Sequence, residues 1–200
     1  MKILGLDISS VATGWAISEE EQILARGVVN PVNDLKENYG TKAKTKESLD
    51  EFDIIQHISG SVSKLIDEHG IEFLVVEDCF LGKNVRTLQV LARLSGAILG
   101  SWLARGNKRK PILISASRAR AYLGCKGNAK KDQVKAFLKY KWGWEVQDDN
   151  EADAIVLAMC GFGKLRYVDK TGHNPENLDM GESKARKSRL TGRRVRCRGN

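Results

Sequence analysis

Cysteine and histidine are scarce in these 200 residues, and they are scattered. The four cysteines (Cys79, Cys125, Cys160 and Cys197) include no CxxC pair, and no cluster forms between them and the three histidines, His57, His69 and His173. That spacing argues against a zinc site and against a disulfide framework, and unpaired thiols suit a reducing compartment. Long apolar runs are missing too: none approaches the roughly 20 residues that span a bilayer. The N-terminus carries no basic segment leading into a signal-like stretch. These absences point to a soluble, intracellular protein with no membrane association.

Charge is plentiful and uneven. The net charge is +8, from 33 Lys and Arg against 25 Asp and Glu. Residues 181–200 hold eight of the basic side chains and a single acid, Glu182, so the rest of the chain is nearly neutral. A basic tail is an electrostatic footprint of nucleic acid, and a solvated end of chain would look the same. Hydrophobic residues, at 42%, suffice for one sizeable core. Residues 1–164 read as one domain and 165–200 as a basic, flexible tail.

The informative stretch is Lys2 to Ile17, KILGLDISSVATGWAI. It reads as a strand, a tight turn and an antiparallel strand, with Asp7 closing the first strand. A carboxylate inside an apolar strand costs several kcal/mol unless something pairs with it. A metal ion is one partner; hydrogen bonds from Ser9, Ser10 and Thr13 are another. Residues 22–29 read as a third strand, and 30–46 as a long exposed connection. Leu49, Phe52, Ile55, Ile58, Val62, Leu65 and Ile66 recur at helical spacing until Gly70. Ile71 to Glu77, IEFLVVE, is again an apolar strand ending in an acid. If it lies parallel to the first strand, Asp7 and Glu77 stand side by side.

A second helix follows with Leu88, Leu91, Ser95, Ile98, Leu99 and Trp102 on one face; Gly96 and Gly100 within it would permit close packing, on the sheet or on a second subunit. Pro111 to Ser115 reads as a short fifth strand, 115–123 as a short helix, and 129–142 as a helix rich in lysine. A turn and helix there would also suit helix-turn-helix DNA binding, on a weak signal. The last helix starts near Asp149 and runs from Ala152 to Leu165. Asp149 and Asp153, four apart, share one of its faces; the blander expectation is a capping Asp149 and a surface Asp153. Converging carboxylates repel one another without cations. Hard oxygen donors select Mg²⁺ or Mn²⁺, and two such ions about 4 Å apart can clamp the attacking and leaving oxygens of a phosphoryl transfer.

Four segments in order carry a resemblance: LGLDISSVATGWAI, VVEDCFLGKN, SRARAYLGCKGNAKKDQV and DDNEADAIVLA. Over about residues 2–162 the chain resembles the RuvC-type Holliday-junction resolvases of the ribonuclease-H-like superfamily. The resemblance implies an α/β fold: a mixed five-stranded sheet, three antiparallel strands then two parallel, flanked by helices. It implies a Mg²⁺-dependent endonuclease, with Mn²⁺ able to substitute, that resolves four-way DNA junctions as a homodimer by paired symmetric nicks with 5′-phosphate ends. Asp7, Glu77 and Asp153 fall on metal ligands. The third acid is Asp149 at a four-residue spacing, or the position of Asn150 at a three-residue spacing. Phe80 falls on an aromatic that stacks on a base, and Lys83, Arg118, Arg120, Lys126, Lys130 and Lys131 on DNA-contacting segments, Lys131 also in the catalytic set. Ile8-Ser9 replaces the family's usual Pro-Gly. The cytoplasm of a bacterial or phage-infected cell, or an organelle matrix, suits such an enzyme. The alternatives are a broader nuclease of flaps, forks and replication intermediates, a catalytically inactive branched-DNA-binding protein, and an actin-like ATPase, which needs a longer chain and a second acidic hairpin.

Overall fold

Alternation along the strands builds the molecule. In β1 (Lys2–Asp7) Leu4 and Leu6 point to one face, while Ile3, Gly5 and Asp7 point to the other. β2 (Thr13–Glu19) and β3 (Gln22–Val29) follow antiparallel, and β4 (Phe73–Glu77) and β5 (Ile112–Ile114) add in parallel. The sheet order is β3-β2-β1-β4-β5, which puts β1 in the middle. The computed structural model describes residues 1–35, 49–78, 84–107 and 109–171, the last seven for their backbone alone. Two compact units divide the chain, Met1–Gly163 and Lys164–Asn200, and the first contains the whole sheet.

The Leu4/Leu6 face is covered by two helices. α1 (Pro31–Asp34) is a single turn at the start of the stretch expected to be a connection. α2 (Glu51–His69) begins where the Asp50 carboxylate accepts the Phe52 N–H at 2.8 Å and ends at Gly70, whose φ of 61° suits glycine. α3 (Val85–Ala104) begins where Asn84 Oδ1 accepts from the Arg86 and Thr87 N–H groups. Ile54, Ile58, Val62 and Ile66 of α2 and Leu94, Ile98 and Trp102 of α3 pack with Leu4, Leu6, Leu74 and Val76. Each such side chain contributes about 1.5–3 kcal/mol by leaving water. One expectation fails here and one alternative is removed. Phe52 stands 71% exposed, because Ile54 takes the inward position in the first turn. Gly96 and Gly100 face open space, so the sheet does not use them for close packing.

The other face is covered by α6 (Asp149–Thr171), reached through α4 (Ala116–Tyr122) and α5 (Lys131–Trp142). The approach is close: a Cβ on Gly5 would sit 2.4 Å from the Ala154 carbonyl oxygen. Small residues at Ala154 and Ala158 make that distance possible. The helix runs on past Leu165, its expected end, to Thr171. No described helix is long and apolar enough to cross a membrane.

Candidate active site

Strand pairing sets the first two acids. β1 and β4 pair in parallel, Leu6 opposite Val76, so the next step along both strands brings Asp7 and Glu77 together. Both lie on the α6 side of the sheet, at its C-terminal edge. The two carboxyls stand close enough for Glu77 to act strongly on Asp7. Asp7 is pushed up to about 9 by burial, then by the Glu77 hydrogen bond and the negative charges of Glu77 and Asp153, while Lys131 pulls it down. Ser9 and Thr13 do not take the role open to them in the sequence: the Ser9 N–H donates to Thr13 Oγ1 at 3.2 Å, and the Thr13 hydroxyl donates back to the Ser9 carbonyl at 2.6 Å. The two thereby close the turn that stands where the family has Pro-Gly. Glu77 Oε1 also accepts the Ala116 N–H at 3.3 Å, which ties β4 to the start of α4.

α6 supplies the third acid. Its N-cap is Asp148, whose Oδ1 accepts the Asn150 and Glu151 N–H groups at 2.8 and 3.1 Å. Asp149 is therefore free of the capping duty expected of it. Asp153 is no surface acid: its side chain is 14% exposed and faces Asp7 and Glu77 closely enough to feel their charge. Burial raises the Asp153 pKa, and Arg120 pulls it back. Arg120, itself 14% exposed, grips Asp153 with Nε at 3.1 Å from Oδ1 and Nη2 at 2.6 and 2.7 Å from Oδ1 and Oδ2. Asp149 turns toward α5, where Lys135 Nζ lies 3.0 Å from Oδ1 and Lys131 Nζ 3.2 Å from Oδ2. Lys135, then burial, then Lys131 act on it, with a net lowering of its pKa.

Asp7, Glu77 and Asp153 thus meet, with Arg120 and Lys131 beside them. Among the described residues no three acid, His or Cys side chains are drawn into a set that one metal ion would fit as they stand. The reason is local: cationic side chains hold Asp153 and Asp149. The donor chemistry nevertheless suits a hard divalent ion, since two half-buried carboxylates, Asp7 and Glu77, stand side by side with Asp153 near them and call for positive charge. Arg118, Lys126 and Lys130 are exposed around this end of the sheet, Lys130 at the N-cap of α5. Phe80 and Lys83 lie outside the described residues, as does the basic tail.

Two residues of the site escaped the sequence. Lys135 was signalled by its place four after Lys131, on the same helix face. Arg26, on β3, had no local signal: its Nε lies 2.8 Å from Glu151 Oε1 and its Nη2 donates to the Glu145 carbonyl at 2.9 Å. It fastens the first turn of α6 to the far strand of the sheet.

Known proteins resemble this chain along most of its length. A family model described as "Crossover junction endodeoxyribonuclease RuvC" matches residues 3–161. A protein of that name from Erythrobacter litoralis is 28% identical over 162 residues, covering 79% of this chain and 90% of its own. Another, from Sphingopyxis alaskensis, is 29% identical over 161 residues, covering 80% and 96%. Among solved structures, Thermus thermophilus RuvC in complex with a Holliday junction substrate superposes with a TM-score of 0.66 at 16% identity, over 84% of this chain and 96% of its own. The yeast mitochondrial Holliday junction resolvase Ydc2 does so with 0.53 at 14%, over 84% and 81%. At such identities the superpositions establish the ribonuclease-H-like fold.

Proposed function

The chain belongs to the crossover junction endodeoxyribonuclease RuvC family, and from that premise we propose that it is a Mg²⁺-dependent endonuclease that resolves four-way DNA junctions by paired symmetric nicks. The observation that carries the reading is the convergence of Asp7, Glu77 and Asp153 at one edge of the sheet, with Arg120 and Lys131 alongside. Asp7, Glu77 and Asp153, with Asp149, are the residues to hold the cations. A pair of Mg²⁺ ions, or Mn²⁺ in their place, would supply charge for the attacking and leaving oxygens of phosphodiester hydrolysis.

The protein's own groups do the rest. Lys131 and Arg120 neutralise charge that builds on the scissile phosphate. Arg118, Lys126, Lys130 and Lys83 hold neighbouring phosphates, and Phe80 stacks on a base at the opened junction centre. Residues 1–164 form the nuclease domain, and residues 165–200 add sequence-independent attraction to DNA. Symmetric cutting calls for two active sites, which makes the enzyme a homodimer. The exposed Gly96/Gly100 face of α3 offers a place for the second copy. The reaction belongs to the cytoplasm of a bacterial or phage-infected cell.

The test is cleavage of a labelled four-way junction, the matching linear duplex, a flap and a fork, each with Mg²⁺, with Mn²⁺ and with EDTA. Paired, metal-dependent nicks in the junction alone are expected. Equal cutting of flaps and forks would replace this reading with a broader debranching nuclease, and tight binding without cleavage in either metal would leave a DNA-binding protein.

A further inference from the structure

We infer that Arg120 is a resident competitor for Asp153, displaced when a DNA phosphate arrives, so that the acid cluster reaches full cation affinity only with substrate in place. The inference rests on the active-site reading above and adds a coupling to it.

The geometry supplies the competition. A carboxylate offers about four lone-pair positions. Arg120 fills three at Asp153: Nε and Nη2 both donate to Oδ1, and Nη2 also reaches Oδ2. One position remains for a cation, and it lies against a guanidinium that repels one. Both partners are largely removed from water, so each compensates the other's lost hydration, and parting them without a replacement is costly. Asp7 and Glu77 are free of such a clamp; Asp149 is held by the lysines Lys131 and Lys135, and Asp153 is the ligand that Arg120 withholds.

A phosphate resolves the conflict. It presents paired oxygens at the spacing that a guanidinium fork matches, with charge to replace the carboxylate's. Arg120 is well placed to change partners. It sits on α4, a two-turn helix, and its remaining hold is a 3.4 Å bond from Nη1 to the Ala129 carbonyl, just before α5. Lysine would not act alike, since it lacks the fork. Because coupling between two ligands is reciprocal, the cation must also tighten the hold on DNA.

The experiment is Mn²⁺ titration of the full chain, read by loss of the free-ion EPR signal, without DNA and with a four-way junction made uncleavable by phosphorothioate linkages. Wild type should bind Mn²⁺ weakly alone and more tightly with the junction. Arg120→Gln should bind it about tenfold more tightly without DNA, with little further gain from the junction, and Arg120→Lys should fall between. Thermal melting identifies which variants are folded. Unchanged or weaker Mn²⁺ binding in a folded Arg120→Gln or Arg120→Lys protein overturns the inference. If Asp7→Asn loses Mn²⁺ while the Arg120 variants match wild type, only the competition fails. If Asp7→Asn and Asp153→Asn both bind like wild type, the active-site reading fails with it.

Discussion

A Cβ placed on Gly14 would lie 2.1 Å from the carbonyl oxygen of Asn150, so the first turn of α6 rests directly on the backbone of β2. The obstacle is main chain, which cannot swing aside. Gly14→Ala should therefore lift the α6 N-terminus, destabilise the protein by about 1–3 kcal/mol or more, and move Asp153 away from Asp7. Thermal melting and junction cleavage should both fall. Gly60→Ala is the control: it lies in α2 with open space around it, and there a methyl should stabilise by about 0.5–1 kcal/mol.

Asp7→Asn should abolish cleavage and yet raise stability in metal-free buffer. The sign follows from linkage. The folded protein holds a proton on Asp7 up to about 9, against a reference value of 3.8. Between those values the native state binds more protons than the unfolded one, so stability falls as pH rises. Melting of the metal-free wild type should drop from pH 5 toward pH 9, by roughly 2–4 °C for each kcal/mol of stability that disappears. Asparagine should flatten that decline, and adding Mg²⁺ should raise the wild type selectively. A wild-type melting temperature that climbs with pH would contradict the raised Asp7 pKa.

Arg26→Ala tests a residue remote from the chemistry in sequence. Its bonds to Glu151 and to the Glu145 carbonyl are partly solvated, so the melting cost should be modest, about 0.5–1 kcal/mol. Cleavage should suffer more, by roughly ten- to a hundredfold, because small misplacements of reacting groups are amplified in rate. Loss in kcat with junction affinity retained would mark Arg26 as a positioning residue. Equal, small losses in both would reduce it to a surface ion pair.

Deleting residues 181–200 removes a net charge of +7. For every DNA phosphate that the tail neutralises, its removal should make the slope of log affinity against log salt shallower by about 0.9. Junction preference over duplex should survive, since the tail adds attraction to phosphates on any DNA. Binding isotherms at several salt concentrations would check both.

Much of this was legible in the chain because strand alternation and the two apolar runs ending in acids are local patterns. β3 appears at its expected residues, 22–29, and Gly70 ends α2 as expected. The parallel pairing of β1 and β4, anticipated from two strands of one design, brought Asp7 and Glu77 together. What escaped was long-range or a matter of helix rotation. Phe52 and Ile54 both suit a core, and only the docking of α2 decides between them. Arg26 reaches residues more than a hundred positions away. The competition of Asp148 and Asp149 for the cap is settled by a backbone turn that their identical side chains do not distinguish.

The parity of β1 and β4 ties folding fidelity to catalysis. On both strands the even positions, Leu4, Leu6, Leu74 and Val76, face α2 and α3, and the odd positions run through Ile3 and Val75 to the acids on the α6 side. Sliding either strand by one residue would drive a carboxylate into oil and turn a leucine or valine out to α6. Natural selection acting on packing alone would keep Asp7 and Glu77 aimed at one point, and damage deep in the far-side core would surface first as failed cleavage.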